Sequence, residues 1–149
     1  MNTMYLDDMT VGTSFEVGPV TVDQDKMIAF SLEYDPFRVH HDEDFAAKSR
    51  YGRMIAPGVM TFMMLWAKVI ESGFFGEQQI AGKSTHIDWV KPAYPGDVLT
   101  GRCTVTRITP RNPYNGIAET LVEVWNQNGE PVLTNITESV IKYRKSDET

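Results

Sequence analysis

The chain has 149 residues, room for one domain (1–149) with a packed core and too few for two ordinary ones. Its 42% hydrophobic and 23% charged content excludes wholesale disorder, and a net charge of −6 removes the broad basic surface that nucleic-acid binding needs. Cys103 is the only cysteine, which excludes an intramolecular disulfide and suits a cytoplasmic protein.

The opening "MNTMYLDDMTVG" has neither a basic n-region nor an apolar h-region, so no signal peptide is expected. "SFEVGPVTV" is β-branched and broken by Gly18-Pro19, and predicts a strand pair or one bent strand. Asp23 then offers an N-cap to "QDKMIAFSLEY", a helix with Met27, Phe30 and Tyr34 on one face. Pro36 ends that helix, because the residue before a proline is pushed out of the α region. "DEDFAAKS" predicts a short second helix with Asp42 as N-cap and acids at its positive end, leaving His41 facing solvent.

"PGVMTFMMLWAKVIESGFFG" predicts the main helix, with Pro57 at its start and Gly73 at its end. From Val59 to Ala67 only Thr61 is polar, so this helix should be enclosed on most sides. The apolar run at residues 54–67 is shorter than the ~20 residues that span a bilayer and contains Pro57 and Gly58, so no membrane partner is expected. Four strands should follow, in "STHIDWVKP", "DVLTGRCTVTRI", "GIAETLVEVWNQ" and "EPVLTNITESVIKY", with an Asn128-Gly129 turn between the last two. In the second of these, Leu99, Cys103 and Val105 alternate with polar neighbours, so the thiol reads as apolar filler. One apolar helix and a run of antiparallel strands predict an α+β fold whose sheet curls around the helix. Such a sheet has open edges, which favours a homodimer or a higher homo-oligomer.

Chemistry concentrates in "DPFRVHHD", residues 35–42, which holds two of the three histidines. Asp35 and His40 sit on one loop stiffened by Pro36. They can hold a carboxylate and an imidazole around a water, one taking a proton while the other supplies one. They can equally be a capping carboxylate and a packed structural imidazole. Metal binding is not expected, because adjacent His40 and His41 suit one ion poorly and no HxH, HxxxH or CxxC spacing is present. Downstream, Pro57-Gly58 opens the main helix with free N–H groups at its positive end, and Gly58 lets a ligand carbonyl approach the backbone. That arrangement can serve as an oxyanion hole for a thioester, or can simply start a helix.

The order "FSLEYDPFRVHHDEDFAAKSRYGRMIAPGVMT", "IDWVKPAYPGD" and "VWNQNGE" resembles the MaoC-like dehydratases, also called (R)-specific enoyl-CoA hydratases, from about Tyr5 to Tyr143. The resemblance implies a hotdog fold, an antiparallel β-sheet wrapped around one long central helix. It implies that Asp35 and His40 activate water, and that the Gly58 N–H binds a thioester carbonyl. It also implies water adding across, or leaving, the 2,3 bond of an acyl thioester, with no cofactor except coenzyme A as part of the substrate. Phe37 and Arg38 stand where the hydratase motif often has Asn and Pro. Trp66 stands eight residues after the glycine, where some hydratases have serine, and is expected to narrow the acyl tunnel towards short or branched groups.

Coenzyme A phosphates would need local cations on an acidic protein, and Lys48, Arg50 and Arg53 cluster before Gly58, with Arg38 or Lys91 able to join. Tyr34 and Thr61 are candidate acyl-pocket residues beside Pro57, while Phe62, Trp89 and Trp125 read as core or interface aromatics. The leading expectation is a hydro-lyase acting on acyl-CoA or another acyl thioester. The alternatives are a hotdog thioesterase, which delivers water to the carbonyl carbon, and a non-catalytic acyl-thioester binding protein.

Overall fold

A computed structural model describes residues 4–147. Five strands, β1 (Ser14–Thr21), β2 (Gln79–Trp89), β3 (Val98–Pro110), β4 (Asn115–Trp125) and β5 (Pro131–Lys142), form one antiparallel sheet in the order β1-β3-β4-β5-β2. Three helices, α1 (Gln24–Tyr34), α2 (Glu43–Ala47) and α3 (Gly58–Glu71), lie between β1 and β2 in the chain. Short 3₁₀ turns occur at Leu6–Asp8, Arg38–His40 and Arg144–Asp147. The β1 segment is a single bent strand, its register slipping between Val17 and Val20.

Local sequence accounts for most helix ends. The Lys26 N–H donates to the Asp23 carboxylate at 2.9 Å, and the Phe45 N–H to that of Asp42 at 3.0 Å, so both expected N-caps close their helices. Pro57 precedes α3 without a side-chain cap, and Gly73 follows it with φ +82°, a turn that favours glycine. Between β4 and β5, Gly129 alone takes positive φ, and the Asn126 side chain accepts from the N–H groups of Asn128 and Glu130.

The core forms where α3 crosses β1 and β3, from Leu65 and Val69 on the helix and Leu99, Cys103 and Val105 on β3. Burial pushes the Cys103 thiol up to about 12, so it behaves as the apolar filler that its alternation suggests. The expectation for α3 itself needs correction. Met60, Thr61, Phe62, Leu65 and Val69 are buried, but Val59, Met63 and Ile70 are about half exposed on the other side, at 45%, 47% and 50%. Within one chain the helix is covered along one face only. At the adjoining sheet edge, β2 is exposed at nearly every position. Among the described residues no helix is long and apolar enough to cross a membrane.

Candidate active site

The loop after α1 is held from both sides. Asp35 is the C-cap of α1, its N–H donating to Ser31 O at 3.0 Å, while the buried Ser31 hydroxyl donates to Asp35 O at 2.8 Å. That hydroxyl has one proton to give, so His41 Nδ1, 3.0 Å away, must donate to it. His41 is half-buried against α1 by this contact, and not a solvent-facing neighbour of the cap. Beyond it, Arg38 reaches the Asp42 carboxylate through Nε (3.1 Å) and Nη2 (2.9 Å), with its guanidinium 4.5 Å above the Phe45 ring.

His40 is turned the other way and is 7% exposed. Its Nδ1 lies 2.8 Å from Ile55 O, and a carbonyl can only accept, so the ring proton sits on Nδ1. In the neutral ring, Nε2 therefore presents a lone pair, 3.5 Å from Asp35 Oδ2. Two acceptors cannot hydrogen-bond each other, but both are in reach of one water molecule that donates to each. Ile55 is fixed in turn, since its N–H donates to Val39 O at 3.3 Å and the next N–H, of Ala56, to Ala93 O at 2.8 Å. The His40 ring is thus positioned by backbone from a segment 15 residues away.

Opposite this pair, α3 begins at Gly58, and a cleft of about 480 Å³ opens between them. Asp35, His40, Gly58, Thr61 and Trp89 line it, with Phe37 and Val59 at its apolar side. The first N–H groups of a helix have no intrahelical acceptor, and that of Gly58 finds none elsewhere among the described residues. Thr61 turns its hydroxyl back to Gly58 O at 2.6 Å, tightening this first turn. A side chain at residue 58 has no room: a Cβ would stand 2.5 Å from the Trp89 indole.

Of the residues singled out in the sequence, Asp35, His40, Gly58 and Thr61 come together in the cleft, with Pro57 buried behind Gly58. Phe37, Arg50, Trp89 and Lys91 line it too, whereas Tyr34, Arg38, Lys48, Arg53 and Trp66 lie outside it. Tyr34 is 68% exposed, packs on Phe30 with ring centres 5.3 Å apart, and has its phenol held up by Glu33. Arg38 is committed to Asp42, Arg53 stacks 3.6 Å over Tyr94, and Lys48 is the exposed C-cap of α2. Trp66 does not narrow this cleft. Its ring lies 5.8 Å from Phe62 and 5.6 Å from Phe75, in an aromatic cluster of the core, and Trp89 is the tryptophan at the cleft. Arg50 and Lys91 are the cations that line the cleft. Lys91 is also paired with Glu130 at 2.6 Å, a hydrogen bond that raises the lysine and lowers the glutamate from their ordinary values. No three His, Cys, Asp or Glu side chains among the described residues are grouped to hold a metal.

Comparison with known proteins agrees with this architecture. A MaoC-like dehydratase from Rhodospirillum rubrum shares 32% identity at a TM-score of 0.86, with 95% of this chain and 98% of that one covered. An (R)-hydratase from Pseudomonas aeruginosa, 21% identical, has the same fold at a TM-score of 0.76, with 95% and 86% covered. The Bacillus subtilis (strain 168) protein YdeM, itself uncharacterized, is 34% identical over 140 residues, 93% of this chain and 99% of its own length. The sheet curled around α3 is the hotdog fold of these structures. Residues 8–126 match the family model described as "MaoC like domain", and the chain belongs to the MaoC-like dehydratase family.

Proposed function

We propose that this protein is an (R)-specific enoyl-CoA hydratase, or in reverse a 3-hydroxyacyl-thioester dehydratase. The observation that carries this reading is the 3.5 Å separation of His40 Nε2 and Asp35 Oδ2, with the His40 tautomer set by Ile55 O and both groups facing the start of α3. A water between them donates one O–H to each and turns a lone pair to the substrate. As its oxygen bonds to C3, His40 takes one proton, and the Asp35 carboxylate steadies the imidazolium. The electron pair displaced from the double bond moves into the thioester, and the charge gathering on the carbonyl oxygen is met by the Gly58 N–H. The imidazolium then returns its proton to C2. Water has been added in full, and no cofactor is needed beyond the coenzyme A of the substrate.

Support for a thioester comes from this pairing of a hydrating group with a carbonyl-binding helix start. The (R)-hydratase named above offers the same fold for such chemistry. Arg50 supplies positive charge at the cleft for the CoA phosphates. The same reading makes the working form a homodimer, with the Val59, Met63 and Ile70 stripe and the open β2 edge covered by a second copy.

Crotonyl-CoA and a panel of branched enoyl-CoAs test the reaction directly. Hydration consumes the enoyl absorbance, while a thioesterase releases free thiol instead. Asp35→Asn and His40→Ala should each lower kcat by about 10²–10⁴-fold, the usual worth of a general acid–base. Thiol release, or binding without turnover across the panel, would sink the hydratase reading.

A further inference from the structure

Trp89 closes β2 and lines the cleft, and it keeps 51% of its surface exposed. The indole edge that carries its nitrogen is turned to the start of α3: a Cβ on Gly58 would stand 2.5 Å from both Nε1 and Cε2, and 3.0 Å from Cζ2. An indole nitrogen can only donate a hydrogen bond. Among the described residues it meets no acceptor, whereas the Thr61 and Lys91 side chains are committed; Arg50 and Tyr51 also line the cleft. The Thr61 hydroxyl is given to Gly58 O at 2.6 Å, and the Lys91 ammonium to Glu130 at 2.6 Å. The neighbouring loop contributes Phe37, whose side chain has nothing to donate.

We propose that Trp89 Nε1–H is a second donor to the thioester carbonyl oxygen, beside the Gly58 N–H; the identity of the ligand rests on the hydratase reading. A carbonyl oxygen has two lone pairs, and a developing enolate oxygen gains from a donor on each. The indole N–H does not titrate in the working range, so this donor stays the same at any pH where His40 acts. The donor also occupies the room that a side chain at residue 58 would fill, so a larger residue there must push the indole aside.

Replacing Trp89 by 3-benzothienylalanine changes only the N–H, to sulfur, and keeps the ring; Trp89→Phe is the simpler companion. Both should lower kcat with KM less affected, by about 10²-fold as for loss of one oxyanion donor. The carbonyl stretch of bound butyryl-CoA, which cannot be hydrated, gives a readout that packing alone would not move. It should be lowered in the wild-type protein and return towards the free value in both variants. Unchanged kcat in the benzothienyl protein, or a carbonyl band that is the same in wild type and variant, overturns the proposal. If the wild-type protein hydrates no enoyl-CoA, the hydratase reading falls alone, and the butyryl-CoA band still decides the role of Trp89.

Discussion

A methyl group at residue 58 would meet the Trp89 indole at 2.5 Å, yet that indole is half-exposed and has somewhere to go. Gly58→Ala should therefore fold with a melting temperature near that of the wild type and lose activity, about 10²-fold, because the cleft wall is displaced. Thermal melts run beside kinetics check this; equal losses in both would assign Gly58 to packing instead. At this scale the sequence was informative where chemistry is carried by residue type. That Asp35 and His40 could face one cleft was legible from the loop that Pro36 stiffens, while their role as a pair came only from the family resemblance. The Ile55 carbonyl that sets the His40 tautomer was not legible, since any residue there would offer the same oxygen. The expectation that Trp66 narrows the cleft failed for a related reason. On a helix apolar at almost every position, pattern alone does not say which side meets the cleft; only Thr61 marks it. Trp66, five residues on, is about 140° around the helix from Thr61, and so falls to the core cluster.

Among the elements, α2 and the loop before it depend on one carboxylate. Asp42 caps α2 through the Phe45 N–H and receives Arg38, and these contacts hold it below the ordinary carboxylate value, the Phe45 N–H most of all. A depressed carboxylate stabilises the fold above its unfolded value, here 3.8, and loses that contribution as pH falls through the folded one. Urea unfolding should thus find Asp42→Asn less stable than wild type at neutral pH, with the gap closing below pH 3.8. A gap that stays constant with pH would mean the charge is not what matters. Caps of this kind are local and were readable from Asp23 and Asp42 directly. The start of β2 was not: Gln79–Lys83 lacks alternation and becomes strand only by pairing with distant β5, across two register shifts.

For the molecule as a whole, part of the open apolar surface lies on α3 and on the edge strand β2. The half-exposed stripe of α3 and the unpaired edge of β2 are the features that a second copy would cover, and an unpaired strand edge invites such pairing. Light scattering should find a dimer, and Met63→Glu with Ile70→Glu should yield a monomer of unchanged helical content. A monomeric wild-type protein would leave the stripe without the proposed occupant. The wrapped sheet was legible from one apolar helix and four runs rich in β-branched and aromatic residues. The uncovered face was not, because enclosure by the same chain and enclosure by a partner leave the same apolar pattern.

Strand β2 joins these scales. One end of it lies along the open edge, and the other ends in Trp89, set against Gly58. A wall of the cleft is therefore built on an edge strand of the sheet. Whatever straightens or frays that edge reaches the cleft before it reaches the core. Catalytic competence in this chain would then be an early casualty of mild stress, lost while the protein still looks folded by every bulk measure.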